Sequence, residues 1–311
     1  MEIVETKTKP PRIVLAGGNG FIGQALAREL RARNYEVVVL TRTPRGRTDG
    51  VVEIEWDGEH IGEWIKFLDS AEAVVNLTGK NINCPHTPEN LRALASSRVN
   101  SVRAIEAAFS HVKVPPRVWV QASAVGFYGD TGNIPCDENS PNGSDNLAEI
   151  CRQWENAFKS VNAPKTRRVL LRVGFVLGRE GGALPVLEKL TKWFLGGTVG
   201  SGNQFISWIQ LADLTRVFIQ TIKQDDFSGT LNAVAPNPVT NRNFMRELRR
   251  VLHRPWSPPA PEFAVRLGSR LMKSEPSLAL AGCRAAPKRL LEAGFKFDFK
   301  NLREALENLY K

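Results

Sequence analysis

The stretch RIVLAGGNGFIGQALARELRAR, residues 12 to 33, restricts the possible folds more than any other part of the chain. A short apolar run from Arg12 to Ala16 ends in glycines, and Phe21 to Arg33 then adopts helical apolar spacing. Strand, glycine turn and helix, with a second strand soon after, are the parts of a βαβ unit. Glycines also mark plain tight turns, so the pattern gains its meaning from this context. Gly17 permits the tight turn, and Gly20 lets backbone amides approach a pyrophosphate at the N-terminus of the helix that Phe21 and Ile22 begin. Gly23 lets helix and strand pack closely. The reading is a dinucleotide site.

The end of the second strand selects the cofactor. A carboxylate there would hold the ribose 2′-hydroxyl of NAD, whereas this chain has Thr41-Arg42, followed by Arg45 and Arg47. A carboxylate repels a 2′-phosphate and an arginine grips one with its fork, so the pattern predicts NADP(H). The alternative is a loop arginine pointing at solvent.

Strand and helix signals keep alternating: Glu36–Thr41, Val51–Trp56 and Ala73–Leu77, then a long helix near Leu91–His111, a strand at Arg117–Gln121, a helix over 144–158 and a strand at Arg168–Arg172. Alternation of this kind predicts an α/β fold, a Rossmann-type doubly wound parallel sheet covered on both faces, with a smaller, mostly helical C-terminal substrate region. After Gly181 the texture changes to the glycine-rich FLGGTVGSGNQF (194–205), with one further strand near Thr230–Val234; PWSPPAP (255–261) is an extended connector that cannot be helix. The expected organisation is an NADP(H)-binding domain over 11–180, to which strand elements from 205–240 can return. A substrate-binding region over 181–254 and a helical C-terminal domain over 255–311 follow.

Composition excludes several function classes. With 311 residues, 42% of them hydrophobic, the chain can bury a full core. MEIVETKTKPPR has acids among its bases with no apolar run behind, and no stretch reaches the ~18 apolar residues of a membrane span. Cys84, Cys136, Cys151 and Cys283 lack C-x-x-C spacing, so free thiols in a reducing cytoplasm, with no metal, are expected. The net charge of +10 is concentrated late: from Arg242 onward there are 15 Lys and Arg against 7 Asp and Glu. Those bases are spread through amphipathic helices without a run, which predicts a solvated basic face and no nucleic-acid partner.

Several segments together resemble the extended short-chain dehydrogenase/reductase family of NAD(P)-dependent nucleotide-sugar epimerases, dehydratases and reductases. They are GGNGFIG (17–23), NLTG (76–79), ASAVGFYGD (122–130), LRVGFVLG (171–178), SWIQLADL (207–214) and LNAVAP (231–236). SSRVNSVRAIEAA (96–108), VGSGNQFISWIQLADL (199–214) and AAPKRLLEAGFKF (285–297) resemble its atypical sugar-nucleotide epimerase subgroup, which carries a helical C-terminal domain of unknown function. The resemblance implies that Leu77, Thr78 and Gly79 line the adenine and ribose side of the cofactor, and that the backbone near Phe175 and Val176 meets the nicotinamide carboxamide. Arg98 would either reach the cofactor or form a surface ion pair. Family members often dimerise through two long helices beside the sheet, which makes a homodimer an option.

Active members of that family carry a Tyr and, four residues later, a Lys on one helix face, with a Ser after the fifth strand. Ser123 is present. Counting back from Glu155, the other two positions hold Leu147 and Cys151. Leucine cannot donate a proton, and a buried inert thiol is the expectation for Cys151. Tyr128 is then either an alternative proton donor beside Ser123 or a packing residue. Asp130, Asp137 and Glu138 either orient a substrate or are solvated. Gln204 and Trp208, with Trp193 and Phe194, either bind a flat substrate ring or belong to the core. Two functions remain open: an NADP(H)-dependent oxidoreductase or epimerase acting on a small polar or nucleotide-linked substrate, and a redox sensor or scaffold that binds NADP(H) without turnover.

Overall fold

In a computed structural model describing residues 9–311, the alternating signals form one seven-stranded, wholly parallel sheet. Residues 1–8, part of the charged stretch MEIVETKTKPPR, lie outside the described residues. The strands are β1 (Arg12–Ala16), β2 (Glu36–Thr41), β3 (Val52–Glu55), β4 (Ala73–Asn76), β5 (Val118–Ala124), β6 (Arg167–Val173) and β7 (Gly229–Ala233), in spatial order β3-β2-β1-β4-β5-β6-β7. Reversal of the winding direction between β1 and β4 places the topological switch point where open α/β sheets bind ligands. Central strands bury both faces, which is why β1, β2 and β4 read as unbroken apolar runs.

Helices α1 (Phe21–Ala32), α2 (Pro88–Ala108) and α3 (Asn146–Lys159) connect the first strands. Helix α3 starts where Asp145 accepts a hydrogen bond from the Ala148 amide, a cap worth about 1 kcal/mol. Strand β5 runs three residues past its expected end at Gln121. Its ladder with β6 continues through Ser123↔Arg172 and Ala124↔Val173, so the polar Gln121 and Ser123 sit inside the strand.

Three two-stranded ladders had no clear sequence signal. Phe175–Leu177 pairs with Trp208–Gln210, Phe205–Ile206 with Val239–Thr240, and Pro135–Cys136 with Arg284–Ala285. The last of these ties the C-terminal residues to the loop after Tyr128. The C-terminal segment also lacks a core of its own: Leu290, Phe295 and Phe297 belong to the cluster under the main sheet, and Leu302, Ala305 and Leu306 pack with Trp208 and Phe244. Among the described residues, no helix is long and apolar enough to cross a membrane.

Candidate functional site

The glycine loop joins β1 to α1 at the C-terminal edge of the sheet. Gly17 has φ +75°, which favours glycine, and its amide donates to the Leu40 carbonyl at 3.0 Å. A methyl group added at Gly23 would lie 2.4 Å from the Gly18 carbonyl oxygen, so only glycine lets the helix start this close to the loop. At Gly20 an added methyl would meet only the Gly17 carbonyl oxygen, at 3.7 Å. The loop is therefore closed toward the protein and open on the side of Gly20.

Neighbouring segments complete this cradle. Asn19 Nδ2 donates to Thr41 Oγ1 at 3.1 Å and ties the loop to the end of β2. The Phe21 ring lies under Gly178, Gly181 and Gly182, where an added methyl would come within 2.5, 2.9 and 3.2 Å of it. Ile22 is half-buried beside it, and Val176, on the segment leading to Gly178, packs against the main core. Across the loop Thr78 approaches Gly17, and the Thr78 hydroxyl is buried with no hydrogen-bond partner among the described residues. Its amide, with that of Leu77 before it, is fixed: Thr78 N donates to Asn76 Oδ1 at 3.0 Å and Leu77 N to the Ala16 carbonyl at 2.9 Å. An orphaned hydroxyl facing an open glycine loop fits a phosphate-bearing or ribose-bearing ligand.

Of the three arginines after β2, Arg47 is paired with Asp49, and the Arg45 amide donates to Glu53 Oε2 at 2.5 Å. Arg42 is exposed directly beyond Thr41, with no carboxylate following it on the strand end.

A second constellation lies along the edge of the sheet, under β5, β6 and α3. Glu155 is 1% exposed; Arg172 donates to its two oxygens at 2.8 and 2.9 Å, Lys159 donates at 3.1 Å and Ser123 Oγ at 2.9 Å. The Ser123 proton is thereby directed at a carboxylate, and only its lone pairs remain for another partner. Arg172 also donates to Tyr128 Oη at 2.9 Å. Tyr128 Oη in turn has Asn232 Oδ1 at 2.7 Å and the Asp137 carbonyl at 2.8 Å as acceptors. Burial pushes the Tyr128 phenol up to about 12, against the opposing charge of Arg172. The hydroxyl protons of Ser123 and Tyr128 are thus committed within the protein. The sequence reading missed Arg172 and Glu155 as its centre. The available signal was an arginine inside an otherwise apolar strand, which has to be paired to be buried.

Leu147 and Cys151 stand beside this cluster: a methyl group added at Gly126 would lie 3.8 Å from Cys151 Sγ and 4.0 Å from Leu147 Cβ. Burial pushes the Cys151 thiol up to about 12, which leaves it protonated at neutral pH. Asp137 pairs with Lys288, and the buried Glu138 accepts from the amides of Asn232 and Arg289. These loop carboxylates tie the C-terminal segment down. Trp208 has no exposed surface and donates its indole N–H to the Asn237 carbonyl. The Gln204 amide donates to the carbonyls of Val199 and Ala279. Trp208 is therefore part of the core, and the side-chain nitrogen of Gln204 is committed to backbone carbonyls. Trp193 and Phe194 are exposed.

Arg98 lies on the buried stripe of α2, one turn from Leu94 and from Val102. Its guanidinium is flat against Gly79, where an added methyl would lie 3.1 Å from Cζ, and 5.1 Å from the Trp154 ring. It makes no ion pair among the described residues. Burial lowers its pKa.

A parallel sheet with a glycine cradle at its switch point defines a dinucleotide-binding α/β protein. The sequence pattern of the NAD dependent epimerase/dehydratase family matches residues 13–232, and that of a domain of unknown function, DUF1731, matches residues 260–309. The chain belongs to the NAD dependent epimerase/dehydratase family. It is 35% identical over 299 residues to the epimerase family protein SDR39U1 homolog, chloroplastic, of Arabidopsis thaliana, covering 94% of this chain and 85% of that protein. The epimerase family protein YfhF of Bacillus subtilis is 32% identical, with 96% and 97% covered. A crystal structure of the human epimerase family protein SDR39U1 with NADPH superposes with a TM-score of 0.85 at 32% identity, covering 96% of this chain and 99% of that one.

Proposed function

We propose that this chain binds NADP(H) and acts as an oxidoreductase or epimerase on a small polar or nucleotide-linked substrate, through a site that lacks the Tyr-x-x-x-Lys pair. One observation carries the reading: the open glycine cradle faces the Thr78 hydroxyl, orphaned among the described residues, with Arg42 exposed at the end of β2. Gly17, Gly20, Phe21, Ile22 and Gly23 would hold the pyrophosphate, and Thr41 and Arg42 the 2′-phosphate. Leu77, Thr78 and Gly79 would line the ribose side, and the Val176 segment the nicotinamide. The 32% identical human protein crystallised with NADPH supports the choice of cofactor. Bound there, the cofactor would supply hydride-transfer chemistry. Ser123 would accept a hydrogen bond from a substrate hydroxyl, because its own proton is held by Glu155. The partner in this reading is a small molecule, the location is cytoplasmic, and a homodimer through α2 and α3 fits.

The second reading, binding without turnover, is favoured by the committed protons of Ser123 and Tyr128 and the raised thiol of Cys151: among the described residues no free acid of suitable pKa stands beside the cradle. Two experiments test these readings. Calorimetry is expected to show NADPH bound at least about tenfold more tightly than NADH, with the preference lost in Arg42→Ala, as one charge-assisted contact implies. Equal affinities refute the cofactor choice. NADPH oxidation against sugar nucleotides and activated carbonyls, in wild type, Ser123→Ala, Tyr128→Phe and Cys151→Ala, separates the two functions. Turnover that depends on Ser123 supports the enzyme; no turnover on any substrate supports the sensor.

A further inference from the structure

We infer that the face built by the helix Glu262–Leu271 and the neighbouring turn at 193–195 docks on a lipid bilayer with anionic headgroups. The inference is independent of the NADP(H) reading. The helix is amphipathic in the opposite sense to a core element. Its half-buried residues are Ala264, Val265, Gly268 and Ser269, whereas Phe263, Leu267 and Leu271, spaced one turn apart on a single stripe, are each more than half exposed. None of its residues is buried. A surface helix ordinarily turns its large apolar side chains inward, so a stripe of them turned outward is a docking face.

A second apolar group stands beside the chain that leads into this helix. Trp193, Phe194 and Trp256 are each more than half exposed. Phe194 sits at φ +62°, a left-handed backbone costly for a bulky residue, in a turn whose side chains from 193 to 195 all face solvent. Turn and connector are joined: Ala260 N donates to the Thr198 carbonyl at 2.8 Å, Gly200 N donates to the Ala260 carbonyl at 2.9 Å, and the Arg254 guanidinium lies 5.6 Å from the Phe194 ring centroid. Exposed tryptophans suit the boundary between headgroups and acyl chains, where one end of the ring is apolar and the other wet.

Charge decides the occupant. Residues 241–273 carry eight Lys and Arg against two carboxylates. Both carboxylates are already paired, Glu247 with Arg246 and Arg303, and Glu262 with Arg266. Arg266, Arg270 and Lys273 are exposed beside the apolar stripe. A second copy of so basic a face would repel the first, whereas anionic headgroups supply the counter-charge. Bases beside outward aromatic and leucine side chains are the chemistry of a helix that lies in the plane of the bilayer interface.

Co-sedimentation of the full chain with vesicles tests this, using phosphatidylcholine alone and a two-to-one mixture of phosphatidylcholine with phosphatidylglycerol. At low ionic strength the protein is expected to partition onto the mixed vesicles at least about tenfold more than onto phosphatidylcholine, and ~0.5 M salt is expected to remove most of that preference. Phe263→Ser, Leu267→Ser and Leu271→Ser combined are expected to lower partitioning by about tenfold or more, because the apolar contact is lost while every charge remains. Arg266→Gln with Arg270→Gln is expected to cost about tenfold on the mixed vesicles alone. These five positions are exposed, so an unchanged melting temperature is expected in both variants. Tryptophan emission of the unaltered chain is a second measure that no folding defect can disturb: it should move to shorter wavelength on mixed vesicles, and the shift should vanish in Trp193→Ser with Trp256→Ser. Binding to mixed vesicles no better than to phosphatidylcholine, or full partitioning by the apolar triple variant, overturns the inference. So does a wild-type dimer that the triple variant converts to monomer in size-exclusion chromatography, which would assign the face to a second copy of the chain.

Discussion

Removing one partner of the Arg172–Glu155 pair is the sharpest test of how this site is held together. Both residues are at most 2% exposed, and Arg172 grips Glu155 bidentately at 2.8 and 2.9 Å while reaching Tyr128 and the Glu138 carbonyl. Arg172→Met leaves a buried carboxylate facing only Lys159 and Ser123. Glu155→Met leaves a buried guanidinium facing only a phenol and a carbonyl. Breaking such a pair from one side costs about 3–5 kcal/mol, a large share of the ~5–15 kcal/mol that holds a domain folded. Replacing both with methionine removes both charges, and Tyr128 keeps Asn232 and the Asp137 carbonyl as acceptors. The double variant is therefore expected to cost less than either single one, with a coupling of about 3 kcal/mol or more in urea unfolding. Single costs below about 1 kcal/mol, or costs that add in the double variant, would refute the claim that burial rather than mere contact sets the energetics of this pair.

Further outcomes follow from other residues. Gly23→Ala places a methyl 2.4 Å from the Gly18 carbonyl, so the loop must move; a loss of about 2 kcal/mol or more in thermal unfolding, together with weakened NADPH binding, is expected. Cys84 is half-exposed and Cys136, Cys151 and Cys283 are buried, so at pH 8 one thiol should react quickly with an aromatic disulfide and three only on unfolding. Two quickly reacting thiols would contradict this burial. Burial raises the Cys151 and Cys283 thiols to about 12, so the unfolded chain ionises first as pH rises. The stability they contribute is full below the unfolded thiol pKa of ~8.5 and declines toward 12, by up to about 1.4 kcal/mol per pH unit for each thiol, with Tyr128 adding to the loss above ~10. Melting temperatures measured from pH 8 to 11 check the sign, and a flat profile would count against it.

Much of the fold was legible because burial on both faces of a parallel sheet leaves a plain signature: β1, β2 and β4 are continuous apolar runs. The glycine cradle was legible for a different reason, since Gly17 and Gly23 are positions where no side chain fits. What sequence could not give was partnership across long separations. Arg172 and Glu155 are adjacent only because Ser123↔Arg172 register sets β5 beside β6 under α3. Tyr128, in its GFYGD loop, reads either as a proton donor or as a packing residue until Asn232 and Arg172 are seen to enclose it. Trp208 and Gln204 lie in a glycine-rich stretch that suggests a binding surface, yet strand pairing of 208–210 with 175–177 buries the first, and backbone carbonyls occupy the second.

The segment 288–297 closes the main core from the far end of the chain. Leu290, Phe295 and Phe297 pack under the sheet, and the Arg289 side chain donates to the carbonyls of Thr230 and Ser228 at 2.8 and 3.1 Å along the edge strand β7. A polypeptide made from its N-terminus forward therefore finishes β1 to β7 before the residues that cover them exist. Until residues 288–297 have been made, the β7 flank of the sheet stays open to water and to other nascent chains. Emergence of residues 288–297, rather than of the glycine loop, is therefore the step expected to let the sheet close its core. A chain stopped before Lys288 should accumulate on chaperones or in inclusion bodies although all seven strands of its sheet are present.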